Sequence, residues 1–347
     1  MPVSIEDVAQ RANVSISTVS RVLNRRDIVN DKTRKRVELA IQELDYRPNV
    51  FARGLMLQQS NILGLVLPDL HGEFYSEIIR GANLKAHELG YQLMVSSASG
   101  SNDGNTVLSA VSNHGLVDGI VVMVSDIDSK TKKTLSKVMI PFVVLDGQVD
   151  NVKHDSVVID QCHGAEAMVK HLIEDCGAKR VVFVGGLKTN IDTIDRLEAY
   201  KDVMERASLQ VRPDDVYHLD FSYEKAFDLA SQLVEEWTAT GAFVFAANDE
   251  MAAGIIDAAI DKGIAVPDQL RVVGFDDTRI AQMTRPRLTT VHVPMSSMGA
   301  LAVELLCQRL KDPKRPPSKL VLQADLVVRE SCGTPKAPAQ CSGESLK

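Results

Sequence analysis

Hydroxyl-bearing and basic side chains are concentrated in one short stretch near the amino terminus, from Val14 to Arg26. The stretch carries three serines, one threonine and three arginines, and it has no acidic residue. A helix with such an outer face has the polar groups needed to meet the major groove of DNA. The stretch is therefore a candidate DNA-reading surface, and an ordinary pair of surface helices is the alternative interpretation.

Two predicted helices joined by a tight turn would position these side chains. Ser4 and Asp7 have the spacing of a capping box, which predicts that the first helix starts at Ile5. Asn13 suits the left-handed position of the turn, and Ser15 can cap the second helix. The outer face of the second helix would then present four side chains, which are Ile16, Ser17, Ser20 and Arg21.

Charge is divided unevenly along the 347 residues, a length that suggests two or three domains. Residues 1–60 hold ten lysines and arginines against seven aspartates and glutamates, whereas the remainder holds 29 basic and 39 acidic residues. The net charge of −7 argues against a uniformly basic nucleic-acid coat. A basic amino-terminal segment on an acidic body fits a small domain that touches phosphate and a larger one that does not.

Cysteine usage and hydropathy indicate a reduced, cytoplasmic protein. The amino terminus has no unbroken apolar run, so no signal peptide is expected. No stretch approaches the roughly 18 apolar residues that a membrane span needs. The cysteines are scattered, odd in number and without a CxxC pair, which predicts thiols and neither a disulfide framework nor a zinc site. They are Cys162, Cys176, Cys307, Cys332 and Cys341.

A third helix completes the predicted domain of residues 1–48. The helix predicted after it is too short to be stable alone. Pro48 ends the preceding element, and Asn49 can cap a helix over residues 50–57. Helices shorter than about 12 residues are marginal in water, and Gly54 weakens this one further, by up to ~1 kcal/mol. The segment is therefore a candidate switch, and a plain linker is the alternative.

From Ile62 onward, short apolar runs alternate with amphipathic segments. Runs such as ILGLVLP, VDGIVVMV and PFVVLD are typical of buried parallel strands, and the alternation restarts after Cys162. The pattern predicts an α/β core of two doubly wound parallel-sheet lobes behind an all-α head. The predicted divisions are residues 1–48 for the helix-turn-helix domain, 49–60 for the hinge helix and linker, 61–161 with 292–323 for the first lobe, 162–291 with 324–330 for the second lobe, and 331–347 for a disordered tail.

Polar and aromatic side chains follow several of the predicted strands, where open α/β sheets bind their ligands. Two phenylalanines are expected in loops after strands, and one arginine is expected to open a helix. Carboxylates, an amide and an arginine suit the vicinal hydroxyls of a sugar, and aromatic rings suit its faces. For Asp160 and Asp249, capping of the following helix is the preferred alternative. The candidates are Phe74, Asp146, Asp160, Arg196, Phe221, Asn248 and Asp276.

A set of motifs then occurs in one order along the chain: IEDVAQRANVSISTVSRVLN, RPNVFARGL, FYSEIIRG, AANDEMAAG, and VVGFDD with RPRLTTV. In this combination the sequence resembles the LacI/GalR family of bacterial transcription regulators, from residue 3 to about residue 330. The resemblance implies a helix-turn-helix head, a hinge helix and a two-lobed core like that of periplasmic sugar-binding proteins. It also implies a homodimer that binds a pseudo-palindromic operator in double-stranded DNA.

The resemblance assigns roles to residues of the head and hinge. Positions matching Ile16, Ser17 and Arg21 read bases in the family, and a guanidinium can bond guanine O6 and N7 together. Leu55 matches the hinge leucine that family members wedge into the minor groove. Met56 stands where many relatives have lysine, which departs from the usual pattern at the central base pair. The predicted DNA-binding residues are Ser15, Ile16, Ser17, Thr18, Arg21, Asn24, Leu55 and Met56.

The resemblance also implies a small-molecule effector between the lobes that controls operator affinity. A sugar or sugar derivative is expected. Purine-binding relatives carry an additional arginine before Arg196, where this chain has Lys188-Thr189-Asn190, so a purine effector is the less supported alternative. His71 and Glu73 could touch the ligand or lie at the rim. The family positions that line the pocket match Phe74, Asp146, Arg196, Phe221, Asn248 and Asp276.

Motifs for catalysis, metals or cofactors are not recognisable. The elements GxxxxGK[ST], HExxH, GxSxG and GxGxxG are absent, and His114, His154 and His163 have no spaced metal partners. We therefore expect no enzyme activity, no catalytic residue, no cofactor and no metal. A soluble sugar-binding protein without a DNA role is the remaining alternative, and residues 1–57 count against it.

Overall fold

The computed structural model describes residues 3–24, 28–46, 60–97, 116–123, 133–147 and 154–333. It has two compact units, residues 1–61 and residues 62–347. The predicted hinge residues Leu55 and Met56 lie outside the described residues. Within the described ranges, no helix is both long and apolar enough to cross a membrane.

The described part of the first unit consists of short helices joined by capped turns: α1 (Ile5–Ala12), α2 (Ile16–Asn24) and α3 (Asp31–Glu43). The predicted capping box is confirmed, because Ser4 Oγ accepts from Asp7 N at 3.2 Å and Ser4 N donates to the Asp7 carboxylate at 2.8 Å. Asn13 takes the left-handed conformation with φ 49°, as predicted. Asn30 caps α3 by accepting from Lys32 N at 2.8 Å.

One apolar core holds these helices together. Each helix contributes small or β-branched residues at helical spacing, and larger side chains such as Leu23 and Leu44 pack around them. Burying this face is the main source of stability for helices of 8 to 13 residues, which would be marginal alone. The buried residues are Val8, Ala9, Ala12, Val19, Val22, Val37 and Ala40.

The second unit begins with a six-stranded parallel sheet in the order β11-β5-β4-β3-β1-β2. Three of its inner strands, β1, β3 and β4, are continuous apolar runs because helices cover a parallel sheet on both faces. The elements of this first lobe are β1 (Ile62–Leu67), α4 (Gly72–Glu88), β2 (Gln92–Ser97), β3 (Gly119–Met123), β4 (Phe142–Leu145), β5 (Asp155–Ile159), α10 (Met295–Lys311) and β11 (Lys319–Leu322).

The second lobe contains a four-stranded parallel sheet in the order β7-β6-β8-β9. Phe183, Phe245 and Trp237 are fully buried in its core. Its elements are α5 (Gln161–Glu174), β6 (Val181–Gly185), α6 (Ile191–Arg206), β7 (Val216–His218), α7 (Tyr223–Ala239), β8 (Phe243–Ala246), α8 (Asp249–Asp261), β9 (Arg271–Val273) and α9 (Arg279–Met283).

The chain crosses between the two lobes three times. The first crossing joins β5 to α5, the second runs through β10 (Thr290–His292), and the third runs from β11 to β12 (Asp325–Val327). β10 and β12 pair with each other as an antiparallel ladder. As predicted, the strand at 319–322 completes the first sheet, whereas β12 pairs with the crossing strand β10.

Helices α4 and α10 of the first lobe pack with their backbones in close contact. A side chain at Gly81 would place its Cβ 1.8 Å from the backbone oxygen of Ser296, and one at Gly299 would lie 2.1 Å from that of Ile78. Only glycine fits at either position, so the two helices form one rigid layer.

The packed part of the chain extends beyond the predicted start of the tail. Ser331 and Cys332 are fully buried, so the prediction of disorder from residue 331 was wrong for these positions. Ser331 Oγ accepts from Thr289 N at 2.9 Å, which holds the segment against the second crossing. The Pro/Ser/Gly-rich composition predicted disorder because it gives no sign of this contact with a distant residue. Residues 334–347 lie outside the described residues.

Candidate functional site

A cavity of about 260 Å³ lies between the lobes, at the carboxyl ends of their strands. The first lobe contributes side chains that follow β1 and β3, and the second contributes side chains that follow β6, β7, β8 and β9. Five of the six predicted pocket residues line it, namely Phe74, Arg196, Phe221, Asn248 and Asp276.

The sixth, Asp146, lines an adjoining cavity of about 470 Å³ together with Asp160 and Gln161. Asp192 borders both cavities. Burial and the nearby Asp192 charge raise the pKa of Asp146 well above its ordinary value. Among the residues that the structure describes, its Oδ2 atom is buried without a hydrogen-bond partner. Asp146 therefore lines the adjoining cavity and not the main one, near Asp192, which borders both.

Arg196 is buried at the inner wall, and every bond it makes is to the protein. Its Nε donates to Gln161 Oε1 at 3.0 Å, its Nη1 donates to the carbonyl of Ala247, and its guanidinium lies 3.8 Å above the Phe275 ring. The prediction that Arg196 opens a helix was wrong, because α6 begins at Ile191 under an Asn190 cap. The arginine thus lies in the second turn and is braced from three sides.

Asp276 supplies an acceptor without a hydrogen-bond partner. It is 7% exposed and has φ 108°, and its Oδ1 atom makes no hydrogen bond within the described residues. The nearest cation is Arg196 Nη2, at 3.7 Å from Oδ1, which is an ion-pair contact beyond hydrogen-bond length. Burial raises the pKa of Asp276 well above its ordinary value, although the Arg196 charge opposes this. A ligand hydroxyl would satisfy this acceptor.

Asn248 and Asp249 exchange the roles expected from the sequence. Asn248 caps α8, with its Oδ1 accepting from Met251 N at 2.9 Å, and its Nδ2 donates to Phe221 O at 3.0 Å. Asp249 does not cap the helix and is fully buried, where it accepts from Thr278 N at 2.7 Å and Thr290 Oγ1 at 2.5 Å. Burial raises the pKa of Asp249 to about 7.

Capping by Asp160 is observed, since its side chain accepts from His163 N at 3.0 Å. Asp160 borders the adjoining cavity only.

Two aromatic rings face the cavity from opposite lobes. Phe74 is the third residue of α4, so the prediction that it lies in a loop was wrong: Gly72, with φ 84°, starts the helix two residues earlier. Its ring meets Tyr75 edge to face at 5.4 Å. Phe221 does lie in a loop, with φ 67°, and fills the space where Gly186 lacks a side chain. The rings provide apolar faces for a ligand ring.

Several cavity residues were not identified from the sequence. Asp192 and Asn190 belong to the first turn of α6 and its cap, which lie before Arg196, where the helix was expected to begin. Tyr75 and Glu250 neighbour predicted residues, and helical geometry could have indicated them. His71 also lines the cavity, whereas Glu73 binds Arg279 N at 2.7 Å across the lobes.

The cavity is acidic. Its lining includes one arginine against six carboxylates, which are Asp69, Asp192, Asp220, Asp249, Glu250 and Asp276. Burial raises the pKa of Glu250 and Asp192 as well as that of Asp276. An anionic ligand would meet repulsion here, whereas a ligand rich in hydroxyl donors would meet acceptors.

Three of the predicted DNA-reading side chains are exposed on α2 in the separate first unit. Ile16 is 46% exposed, and Ser17 and Arg21 are exposed beside it. Ser15 Oγ lies 2.9 Å from both the Ser17 and Thr18 hydroxyls and accepts from Thr18 N at 3.3 Å. Asn24 ends the helix. The structure thus places Ser15 directly before α2 and the other predicted residues of the head on it, whereas Leu55 and Met56 lie outside the described part.

Comparison with known proteins matches both units. Residues 4–49 match the bacterial regulatory proteins of the lacI family, and residues 169–332 match a periplasmic binding protein-like domain. The chain is 36% identical to catabolite control protein A of Priestia megaterium over 308 residues, covering 88% of this chain and 92% of that protein. It is 31% identical to the ribose operon repressor of Escherichia coli K12 over 336 residues, covering 94% and 99%.

A crystal structure of the lac repressor dimer bound to operator and the anti-inducer ONPF superposes with a TM-score of 0.83 at 27% identity, covering 96% of this chain and 99% of that one. The relatives are regulators. With a matched amino-terminal unit, a matched core and relatives that span nearly its whole length, the chain belongs to the lacI family of bacterial regulatory proteins.

Proposed function

We propose that this lacI-family transcriptional regulator is an operator-binding repressor controlled by an uncharged sugar that binds between the two lobes. The observation that supports the sugar is the buried Oδ1 of Asp276, which faces a cavity whose lining is predominantly acidic. Relatives at this level of identity include a ribose operon repressor, which makes a carbohydrate the natural class to test.

Charge selects among the possible ligands. A sugar phosphate or another anion would have to enter beside Asp192 and Asp276 with only Arg196 as a cation, and that arginine already binds Gln161 and Ala247. A neutral polyol avoids this repulsion and can donate hydroxyl hydrogens to buried carboxylates. Each such hydrogen bond contributes about 0.5–1.5 kcal/mol.

Ring geometry supports the same class. Phe74 and Phe221 approach the cavity from different lobes and offer flat apolar surfaces. The volume of about 260 Å³ suits a small molecule of one or two sugar rings. A purine would also stack between rings, but it carries fewer hydroxyl donors for the carboxylates.

The operator side of the proposal rests on α2. We propose that Ser15, Ile16, Ser17, Thr18, Arg21 and Asn24 contact DNA from residues 1–48, and that Leu55 and Met56 act from a hinge at 49–60. A homodimer would present two such heads to a pseudo-palindromic operator in the cytoplasm. Effector binding would change operator affinity by shifting the core between two states.

The decisive experiment is a thermal-shift and calorimetric screen of the full-length protein with neutral sugars, sugar phosphates, nucleosides and a polyamine. A neutral sugar is expected to raise the midpoint of thermal unfolding. In Asp276→Asn the affinity for that sugar should fall about 10-fold, because one of the two carboxyl oxygens is replaced by an amide N–H donor. Stabilisation by sugar phosphates or nucleosides alone would contradict the proposal.

Asp257→Asn is the matched control. Asp257 is a helix carboxylate outside the cavity that accepts from the Tyr223 hydroxyl at 2.6 Å. Its substitution should leave sugar affinity unchanged. Repeating the titration with an operator selected from random-sequence DNA then shows whether the sugar lowers or raises operator affinity.

A further inference from the structure

A cluster of one imidazole and two thiols lies at the far end of α5 from the cleft. Gln161 begins this helix beside the effector cavities, and His171 lies ten residues further along it. At 1.5 Å per residue, the cluster is about 15 Å from the cleft along the helix axis. Cys176 follows the end of the helix, and Cys332 comes from the carboxyl-terminal segment.

The three ligand atoms have the spacing of a metal site. His171 Nε2 lies 3.4 Å from Cys332 Sγ and 3.5 Å from Cys176 Sγ, and all three atoms lie within 4.8 Å of one another. In a tetrahedral zinc site with Zn–N near 2.0 Å and Zn–S near 2.3 Å, the nitrogen–sulfur edge is about 3.5 Å. Both observed nitrogen–sulfur distances already match this edge.

The surroundings orient these atoms toward a common centre. His171 Nδ1 lies 2.7 Å from Asp175 Oδ2, so this nitrogen can donate to the carboxylate and leave Nε2 with its lone pair toward the thiols. Thr289 Oγ1 accepts from Arg329 N at 2.8 Å and donates to Cys332 Sγ at 3.1 Å. This contact fixes the position of the Cys332 sulfur beside the imidazole.

We propose that His171, Cys176 and Cys332 bind one Zn²⁺ per chain, with water in the fourth position. Two thiolates and an imidazole are the donor set of a borderline-soft ion such as zinc. The sequence predicts no zinc site because it lacks a CxxC pair, yet a ligand 161 residues away in sequence completes this one. Bound zinc would join α5 to the segment that packs on Thr289, just before the crossing strand β10.

The test uses untagged full-length protein, reduced, stripped with a chelator and titrated with Zn²⁺ against a chromophoric competitor. We expect one ion per chain and a higher thermal midpoint with zinc. Replacing zinc by Co²⁺ should produce thiolate-to-cobalt charge-transfer absorption. Cys176→Ser and Cys332→Ser should each weaken Zn²⁺ binding at least about 100-fold, and Asp175→Asn about 10- to 100-fold.

Cys307→Ser provides the matched control, because Cys307 is a buried thiol of α10 in the other lobe. The zinc affinity of the Cys307→Ser variant should equal that of the unsubstituted protein. Cys176 is only half-buried, so its serine variant remains informative even if Cys332→Ser fails to fold. Unchanged zinc binding in Cys176→Ser, or a Cys176–Cys332 disulfide in place of bound metal, would overturn the proposal.

Discussion

The base-reading face of α2 and the cavity between the lobes both carry many polar groups, but they expose them differently. On α2, Ser17 and Arg21 are exposed, and the local hydroxyls are already bonded to each other. In the cavity, Arg196 and Asp276 are nearly inaccessible to water. Removing one exposed polar side chain costs little free energy, because water replaces its bonds. Removing one partner of a buried charge costs much more, because the remaining charge has no access to water. The cavity should therefore be the more sensitive region.

The largest effect should come from Arg196→Ala. It leaves the Gln161 side chain and the Ala247 carbonyl without their donor, and it leaves Asp276 without its ion-pair partner. Breaking a buried charge pair costs roughly 3–5 kcal/mol, and the sugar response should disappear with it. Chemical denaturation and calorimetry measure the two losses.

Arg180→Ala separates the loss of stability from the loss of sugar binding. Arg180 is also buried in the same lobe, where it binds Asp215 at 2.7 Å, and it does not line the cavity. The substitution should lower stability similarly but keep sugar binding at the reduced temperature where the variant is folded. Equal loss of sugar binding in both variants would mean that Arg196 acts only through stability.

A second test of burial is the pH dependence of stability. Burial raises the pKa of Asp249 from 3.8 to about 7, so the folded chain holds this proton more tightly than the unfolded chain. The corresponding stability is complete below pH 3.8 and is lost as the pH rises through 7, with a slope of at most about 1.4 kcal/mol per pH unit. Asp249→Asn should flatten this slope between pH 4 and pH 7 in thermal melts, and Asp257→Asn should not.

Arg21→Ala tests the exposed face. The loss of one bidentate guanine contact should weaken operator binding by about 1–3 kcal/mol and relax the preference at a single base pair. Gel-shift titration at fixed salt measures this. Arg11→Ala is the control, because Arg11 pairs with Glu43 at 2.6 Å within the same unit. An equal loss of affinity in both variants would indicate a general charge effect in place of base reading.

The smallest effect is expected from Ser4→Ala, which removes the capping box of α1. Loss of a capping side chain costs about 1 kcal/mol, and it should raise amide exchange in α1 without changing sugar affinity. Ser4→Asp retains a capping oxygen and should restore protection. Changed sugar affinity in Ser4→Ala would contradict the independence of the two regions.

Periodicity and capping chemistry predicted the order of the elements, the two sheets and the turn at Asn13, because these depend on neighbouring residues. Bonds between distant segments were beyond such reasoning. Asp249 looks like a helix cap until the threonines at 278 and 290 are placed beside it. The position of Phe74 depended on a glycine starting a helix, and Ser331 is buried only because Thr289 bonds it.

The paired crossing strands have a mechanical consequence. Three segments of the chain connect the lobes, and two of them pair with each other as the antiparallel β10–β12 ladder. A ladder of backbone hydrogen bonds resists sliding and stretching, but it can bend and twist. We therefore expect the two lobes to rotate as rigid bodies about one axis near this ladder. The sugar would hold the cleft between them either more open or more closed. Such a hinge turns small changes in ligand contacts into one repeatable rotation.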